Sequence, residues 1–386
     1  MIPVAEASAR LLALVAPLPA EDVPLRRAGG RVLARDVAAL RDQPPFDASA
    51  MDGYAVAGGG PSWRVVGEAA AGRGHRAALA PGEAVRIFTG APIPAGADRV
   101  LIQEDAAREG CALRATEAPA PGAHVRPRGS DFARGDALAA PRRLAPAEVA
   151  LCAAMGHGTV PVRRRAEVAI VMTGDELAPA GVPPGPDGIP ASNGYGIAAR
   201  LEAEGARVRL LPIAADRPEA LAAALGHAAG ADLILTVGGA SVGDHDLVAR
   251  VAGAEGLAPA FHKVAMRPGK PLLAGRLHGA AFVGLPGNPV SSLVCTEVFA
   301  VPMLRAMAGL PPGPDTVPSR LAAPVGANGP RAHYMRATRG PGGVAPVASQ
   351  DSSRLRLLAG ADALIVRPPH DPARAAGATV ETIPLR

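Results

Sequence analysis

The pattern of apolar and polar positions is most regular in residues 163–309, where short apolar runs alternate with segments of helical spacing. Each apolar run predicts a buried strand, and each helical segment predicts the helix that follows it. The predicted strands are 167–172, 208–213, 232–237 and 281–284, and the predicted helices are 196–204, 219–229, 246–252 and 290–307. This alternation predicts a doubly wound parallel sheet.

Other patterns flank this segment. Residues 2–15 have the spacing of an amphipathic helix, whereas residues 46–131 contain short apolar pieces separated by Gly and Pro turns, which is typical of β structure. The sequence therefore predicts a multidomain α/β protein. Its parts are a linking domain (1–44 with 132–161), a β-rich domain (45–131), the α/β domain (162–309) and a C-terminal β-barrel-like domain (310–386).

Composition excludes several classes of protein. The net charge of +5 comes from scattered basic residues, and aromatic residues make up only 3%, so a nucleic-acid surface is not expected. Cys111, Cys152 and Cys295 are far apart, which predicts neither a disulfide framework nor a cysteine metal site and fits a reducing cytoplasm. We expect no membrane-spanning segment, because no apolar run is long enough to span a bilayer.

Three glycine-containing turns each follow a predicted strand and lead toward a helix. They are Thr173-Gly174-Asp175-Glu176, the run 238–243, and the run 285–291. Such turns bring backbone N–H groups and helix N-termini to the carboxyl edge of a sheet, where ligands bind in open α/β folds. The turns predict a phosphate or oxyanion site. Because carboxylates beside a phosphate repel it unless a divalent cation lies between them, Mg²⁺ is also implied.

Other candidate features are open to two interpretations. The turn around Asp52 could be an Asx-type turn or could present a carboxylate for acid–base or metal chemistry, and Thr89 could belong to a plain β-turn or to a cleft rim. Asp246 could cap a helix or bind a metal ion. Lys263, Arg267 and Lys270 could be a solvated charge run or an oxyanion site held by prolines.

Six motifs, taken together and in order, resemble the MoeA family of molybdopterin molybdenumtransferases, which includes the gephyrin E domain. They are Ser49-Ala-Met-Asp-Gly-Tyr-Ala55, Thr89-Gly-Ala-Pro92, Thr173-Gly-Asp-Glu176, Gly238-Gly-Ala-Ser-Val-Gly243, Arg267-Pro-Gly-Lys-Pro271 and Leu285-Pro-Gly-Asn-Pro-Val-Ser291. The resemblance implies insertion of molybdate into adenylylated molybdopterin, with release of AMP and formation of the molybdenum cofactor. It also implies a molybdopterin-binding α/β domain and a homodimer whose cleft is shared between subunits.

The resemblance also implies roles for individual residues. The catalytic positions would be Asp52, Thr89, Glu176, Asp216 and Asp246, and the last three of these would hold the metal ion; Asp131 matches a further acid of the family. The substrate-binding positions would be Thr173, Gly174, Asp175, Gly238, Gly239, Ser241, Gly243, Lys263, Arg267, Lys270, Pro286, Gly287, Asn288, Ser291, Ser352 and Ser353. The chain departs from the family pattern at Arg267, which replaces a lysine, and at Pro190-Ala191, which replaces an acidic stretch.

Three other functions are weighed against this one. A molybdopterin adenylyltransferase would resemble only residues 163–309, and a non-catalytic pterin-binding scaffold would not need the acids at Asp52, Glu176 and Asp246. An NAD-dependent oxidoreductase would need a Gly-x-Gly-x-x-Gly turn followed by an acid, which the sequence lacks.

Overall fold

The computed structural model describes residues 1–239 and 247–385, and the chain forms two compact units. The β-rich unit is Asp22–Val162, and the α/β unit combines Met1–Glu21 with Arg163–Arg386. The first helix, α1 (Val4–Leu12), buries Ala7 and Leu11 in the core of the α/β unit, although residues 1–44 were expected together with 132–161. The finer division into four domains stays a prediction.

The β-rich unit consists of short strands and one helix, α2 (Pro146–Ala154). Its strands, including two that extend across the unit boundary, are β1 (Ala20–Pro24), β2 (Val32–Leu33), β3 (Val37–Ala38), β4 (Ala48–Ser49), β5 (Gly53–Val56), β6 (Ser62–Ala69), β7 (Glu83–Ile87), β8 (Arg99–Ile102), β9 (Ala106–Glu109), β10 (Ala112–Ala115), β11 (Val125–Arg126), β12 (Ala137–Leu138), β13 (Arg142–Arg143) and β14 (Thr159–Arg163).

The largest sheet of this unit has the strand order β8-β5-β7-β6-β10-β9, and only β6 and β7 are parallel neighbours. Alternate residues of its strands enter different cores. Ala55 and Val85 pack into one, while Tyr54, Val56 and Ala84 pack into the other. Both faces of this sheet are therefore covered, which accounts for the fully apolar strand β5.

The α/β unit contains the remaining elements. Its strands are β15 (Glu167–Met172), β16 (Leu177–Ala178), β17 (Ile189–Pro190), β18 (Arg207–Leu210), β19 (Leu233–Val237), β20 (Ala258–Lys263), β21 (Met266–Arg267), β22 (Pro271–Leu277), β23 (Ala280–Leu285), β24 (Val317–Arg320), β25 (Ala332–Gly340), β26 (Gly343–Pro346), β27 (Ala363–Arg367) and β28 (Thr379–Pro384). Its other helices are α3 (Asn193–Ala203), α4 (Pro218–His227), α5 (Leu247–Ala254), α6 (Pro289–Cys295), α7 (Val301–Met307) and α8 (Leu355–Ala359).

The central sheet confirms the predicted doubly wound fold. Its order is β18-β15-β19-β23-β22-β20, and the first four of these strands are parallel. Val168 and Ile170 of β15 pack into the core that contains α3 and α6, whereas Ala169 and Val171 pack with α4 and α5. Helices thus cover both faces. The antiparallel strands β20 and β22 extend the sheet beyond the predicted strands.

The premise that no apolar run is long enough to span a bilayer was wrong. The helical stretch Pro289–Met307, which runs from α6 through a π-helical turn (Thr296–Ala300) to α7, is long and apolar enough to cross a membrane by length and composition. However, 78% of its most apolar window is buried inside the protein. Packing in the core therefore accounts for its apolarity without a membrane.

The C-terminal part forms a second sheet in the α/β unit. Its order is β21-β25-β27-β28-β24, with β26 paired to β25. Strand β21 is parallel to β25 and places Met266 opposite Ala332 and Arg267 opposite His333. This pairing ties the basic loop to the C-terminal sheet, which positions the loop for the site described next.

Candidate functional site

The described parts of the three predicted turns meet at one edge of the central sheet. They follow β15, β19 and β23, which are neighbouring parallel strands, so their carboxyl ends lie side by side. The Thr173 N–H donates to the carbonyl of Val237 at 3.0 Å, and the Gly238 N–H donates to the carbonyl of Leu285 at 3.3 Å. Because β18 lies on the other side of β15, this edge is also the point where the strand order reverses, which is the usual ligand position in such sheets.

Glycine is required where two of these turns touch. Gly238 has a φ of +97°, and a Cβ atom there would lie 2.4 Å from the carbonyl oxygen of Thr173. Gly239 continues the turn with a φ of +62°. The predicted site residues Ser241, Gly243 and Asp246 belong to the stretch 240–246, which lies outside the described residues.

Acidic side chains border the Thr173 turn. One carboxylate oxygen of Asp175 accepts a hydrogen bond from the backbone N–H of Asp216 at 3.0 Å. The carboxylate of Asp216 accepts one from the hydroxyl of Thr173 at 3.3 Å. The Glu176 carboxylate folds back over Gly174, since a Cβ on that glycine would lie 2.5 Å from Oε2. The structure thus brings together five predicted site residues around one turn and shows Asp175 bonded to the backbone of Asp216.

A cavity of about 100 Å³ opens beside this turn. The amide of Asn193, at the start of α3, donates to the carbonyl of Gly287 at 2.7 Å and so connects two walls of the cavity. Its lining combines apolar side chains with a few polar groups, which is typical of small-molecule sites. The lining residues are Met172, Thr173, Glu176, Leu177, Ile189, Pro190, Ala191, Ser192, Asn193, Val237, Gly238, Gly287 and Pro289.

The basic loop packs directly against α6. Gly269 has a φ of +104°, and a Cβ atom there would lie 2.4 Å from the Sγ atom of the buried Cys295. The Val264 N–H donates to the carbonyl of Lys270 at 3.0 Å, which closes the loop on itself. Arg267 and Lys270 are exposed, and Lys263 is half-buried at the end of β20. The three predicted cations therefore lie on a loop that is fixed in place.

Arg336 is a functional candidate that the sequence reasoning missed. It lies on β25, is only 1% exposed, and donates from Nη1 to the carbonyl of Arg354 at 3.3 Å. In the part of the chain that the structure describes, no carboxylate forms an ion pair with it. Burial lowers the pKa of its guanidinium, and the nearby Asp351 carboxylate opposes that shift. A buried cation without an ion-pair partner is costly unless an anionic ligand compensates it.

The segment 350–354 connects Arg336 to the start of α6. The side-chain amide of Gln350 exchanges two hydrogen bonds with the backbone of Arg336, each 3.0 Å long. The Ser352 carbonyl accepts from the Val290 N–H at 3.1 Å, and its hydroxyl accepts from the Asn288 amide at 3.2 Å. The predicted residues Asn288 and Ser352 thus contact each other, and Ser352 lies on a segment whose residues Gln350 and Arg354 hydrogen-bond to Arg336.

Ser353 makes only local contacts. Its backbone N–H and its hydroxyl both donate to the same Asp351 oxygen, at 2.9 and 2.8 Å. These two bonds hold the pKa of the Asp351 carboxyl below its usual value. The Ser353 hydroxyl therefore stabilises the turn that carries Ser352.

In the β-rich unit, the structure joins Asp52 and Thr89. One Asp52 oxygen accepts from the Thr89 backbone N–H at 2.8 Å and from the Thr89 hydroxyl at 2.7 Å. These two bonds, the backbone one first, hold the pKa of the Asp52 carboxyl below its usual value. Arg86 stabilises the same charged form from further away and donates to the Gly53 carbonyl at 3.2 Å. Asp52 is thus an ionised carboxylate with a fixed orientation.

Among residues 1–239 and 247–385, no cluster of three His, Cys, Asp or Glu side chains could hold a metal ion. Of the three expected metal ligands, Glu176 and Asp216 belong to the described residues, whereas Asp246 lies outside them. Both of these carboxylates border the Thr173 turn.

Comparisons with known proteins agree with this architecture over nearly the whole chain. Residues 2–156 match the family described as MoeA N-terminal region (domain I and II), residues 169–306 match a probable molybdopterin binding domain, and residues 318–385 match the MoeA C-terminal region (domain IV).

Individual relatives give the same result. A molybdopterin molybdenumtransferase of Nostoc sp. is 39% identical to this chain, and the match covers 77% of this chain and 71% of the relative. Molybdopterin molybdenumtransferase 2 of Mycobacterium tuberculosis is 40% identical, and the match covers 75% of both proteins. Two solved structures of the molybdopterin biosynthesis MoeA protein from Pyrococcus horikoshii superpose with TM-scores of 0.86 and 0.84, at 28% and 26% identity. They cover 100% and 99% of this chain, respectively, and 99% of each of those chains.

Proposed function

Because the chain belongs to the MoeA family of molybdopterin molybdenumtransferases, we propose that it inserts molybdate into adenylylated molybdopterin and releases AMP. Its general class, a transferase of molybdenum cofactor biosynthesis, follows from the family. The identity of the two substrates is the proposal. The observation that carries it is that the cavity at the sheet edge and the segment next to Arg336 both contact the start of α6.

The first region would hold the adenylylated pterin. The carboxyl ends of β15, β19 and β23 are the usual ligand position in such a sheet, and the adjoining cavity offers apolar walls with a few polar groups. Asn193 supports the Gly287 wall of this cavity through its 2.7 Å hydrogen bond. Pro190 and Ala191 also line the cavity. They are apolar, whereas the family pattern has an acidic stretch at these positions.

The second region would hold molybdate. Among the described residues Arg336 brings a buried positive charge with no ion-paired carboxylate, and it hydrogen-bonds to the segment 350–354, whose Ser352 contacts the start of α6 next to Ser291. Lys263, Arg267 and Lys270 add positive charge on the loop packed against Cys295. A tetrahedral dianion suits such donors, because charge-assisted hydrogen bonds to oxyanions are among the strongest in proteins.

Mg²⁺ fits the first region. This ion keeps several waters and usually takes only one or two protein carboxylates together with substrate phosphates, and Glu176 and Asp216 supply two carboxylates beside the Thr173 turn. When bound, it would neutralise the charge that builds up as the phosphate bond to AMP breaks. Asp246 remains the third proposed ligand on the basis of the sequence.

We also propose that the chain acts as a homodimer in the cytoplasm. The resemblance implies the dimer, and the three separated cysteines, none in a disulfide, fit a reducing compartment. Sedimentation velocity should give twice the 38.7 kDa mass of one chain. A stable monomer that is fully active would contradict the dimer.

The function is tested by measuring AMP release from adenylylated molybdopterin. We expect release only when molybdate and Mg²⁺ are both present, and we expect EDTA to stop it and added Mg²⁺ to restore it. Sulfate, which has the same charge and shape class as molybdate, is the matched control and should not replace it. AMP release at the same rate without molybdate would refute coupled insertion. Formation of adenylylated molybdopterin from ATP would instead indicate the adenylyltransferase reaction.

A further inference from the structure

We infer that Asp175 is a positioning residue, which holds the loop that carries Asp216 against the Thr173 turn. The inference rests on the proposed function in one respect, namely that the carboxylate of Asp216 acts at the site. Asp175 was expected to bind substrate directly, but its contacts point to a different role.

The loop after β18 is joined to the loop after β15 by a short series of hydrogen bonds. The Ala214 N–H donates to the carbonyl of Met172 at 2.9 Å, and the Gly174 N–H donates to the carbonyl of Ala214 at 3.2 Å. These are the last backbone bonds of the two neighbouring strands. Beyond Ala214, the chain leaves the sheet and turns toward α4, which begins at Pro218.

Asp216 lies in that departing stretch, and two side chains hold it. Its backbone N–H donates to the Asp175 carboxylate at 3.0 Å, and its own carboxylate accepts from the Thr173 hydroxyl at 3.3 Å. Asp175 thus replaces the strand partner that the Asp216 amide has lost, while Thr173 orients the carboxylate. Without the Asp175 bond, the carboxylate of Asp216 would depend on a single long hydrogen bond from a hydroxyl.

Two substitutions of Asp175 distinguish a positioning role from direct contact with substrate or metal. Asn at position 175 keeps an acceptor oxygen for the Asp216 N–H but loses the negative charge. Ala loses both. A positioning role therefore predicts that Asn is tolerated and Ala is not, whereas a direct electrostatic role predicts that both substitutions are equally harmful.

The experiment compares Asp175→Asn and Asp175→Ala in the full-length protein by two measurements. We expect kcat for AMP release to stay within roughly three-fold of wild type in the Asn variant and to fall roughly ten-fold or more in the Ala variant, with KM for the pterin little changed. Hydrogen exchange of the Asp216 amide, measured without substrate, should be slow in wild type and Asn and at least about ten-fold faster in Ala. Asp187→Ala, an exposed acid of the same unit, is the matched control and should behave as wild type in both assays.

Two results would overturn the inference. If Asn loses as much activity as Ala while the Asp216 amide stays protected, the charge of Asp175 acts directly. If Ala leaves the exchange of that amide unchanged, the hydrogen bond does not hold the loop. The exchange measurement needs no substrate, so it remains decisive even if wild type fails to release AMP, a failure that would count against the proposed function alone.

Discussion

Arg336 and Arg367 lie on the neighbouring strands β25 and β27, and each is only 1% exposed, yet within the described chain only Arg367 of the two has an ion-paired carboxylate. Arg367 pairs with the buried Asp371 and also donates to the Pro372 carbonyl at 2.8 Å. Arg336 has no such ion pair among the residues that the structure describes. Arg367 therefore serves as the structural arginine against which Arg336, the proposed anion-binding arginine, can be compared.

Replacing each arginine by methionine should separate these roles. Arg336→Met should change the free energy of unfolding by less than about 1 kcal/mol, or raise it, because it removes a buried charge that has no ion-pair partner in the described chain. The same variant should raise the KM for molybdate roughly ten-fold or more. Arg367→Met should cost about 3 kcal/mol, because it leaves Asp371 buried with Arg374 as its one remaining ion-pair partner in the described chain, and should leave the molybdate KM near wild type.

Chemical denaturation and the molybdate dependence of AMP release check both expectations. If Arg336→Met unfolds as readily as Arg367→Met and keeps its molybdate KM, then Arg336 is a structural residue. The proposed molybdate site would then lose its central cation.

The contact between Asp52 and Thr89 predicts a change in titration. Thr89→Ala removes the hydroxyl donor but keeps the backbone N–H, so the pKa of Asp52 should rise part of the way toward its usual value of 3.8. Thr89→Ser should leave it unchanged. Carbon NMR of the Asp52 carboxyl group across acid pH measures the shift.

Thr116→Ala is the control for this experiment, since the Thr116 hydroxyl donates to a backbone carbonyl, that of Asp105, in the same unit. The acid limb of AMP release should also move to higher pH in Thr89→Ala if the ionised form of Asp52 is needed for turnover. An Asp52 titration that is identical in Thr89→Ala and wild type would show that the hydroxyl does not stabilise the charge.

The doubly wound sheet could be predicted from the sequence because its strands and turns each have a pattern within a few neighbouring residues. The buried strands β15 and β19 are continuous apolar runs, and the turn after β19 contains a glycine, Gly238, that close contact requires. Asp52 and Thr89 were each identified as candidates, but their hydrogen bond joins positions 37 residues apart and could not be read from spacing.

Arg336 was missed for a related reason. Whether Arg336 has an ion-pair partner depends on the segments that pack near β25. Segment 350–354 contacts Arg336 and also the start of α6, and no local sequence pattern predicts these contacts. One signal was present: Ala332, Tyr334 and Arg336 alternate along one strand, and the first two enter the main core. An arginine on the inward face of a strand is a candidate for a buried ligand contact.

His333 predicts a loss of stability in mild acid. Burial, together with the charges of Arg267, Arg367, Arg336 and Arg331, lowers the pKa of His333 from 6.5 to about 4. Between these two values, the unfolded chain binds a proton that the folded protein does not. His333 therefore stabilises the fold fully above its unfolded pKa, and this contribution is lost as pH falls from 6.5 toward 4.

We expect His333 to account for on the order of 2 kcal/mol of the stability lost between pH ~7.5 and ~5. His333→Gln should remove this part of the loss, whereas His227→Gln, an exposed histidine of the same unit, should not. Denaturant titrations followed by far-ultraviolet circular dichroism at both pH values give the comparison. Equal acid sensitivity in wild type and His333→Gln would show that His333 is protonated as easily in the folded as in the unfolded state.

The contact between Gly269 and Cys295 makes the basic loop sensitive to one methyl group. Gly269→Ala places a Cβ about 2.4 Å from the Cys295 Sγ and strains a φ of +104°, so the loop must move. We expect it to reduce the free energy of unfolding by about 3 kcal/mol and to raise the molybdate KM, because Arg267 and Lys270 lie on this loop.

Gly279→Ala is the matched control, because Gly279 has a φ of +84° but no atom within 4 Å of the added Cβ. It should cost only about 1 kcal/mol, from backbone strain, and leave the molybdate KM unchanged. The double variant Gly269→Ala with Cys295→Ala removes the clashing sulfur and should recover part of both losses, which a double-mutant cycle measures as a favourable coupling. If Gly269→Ala costs no more than Gly279→Ala, or if the cycle gives no coupling, the packing of the loop on Cys295 does not set the position of its cations.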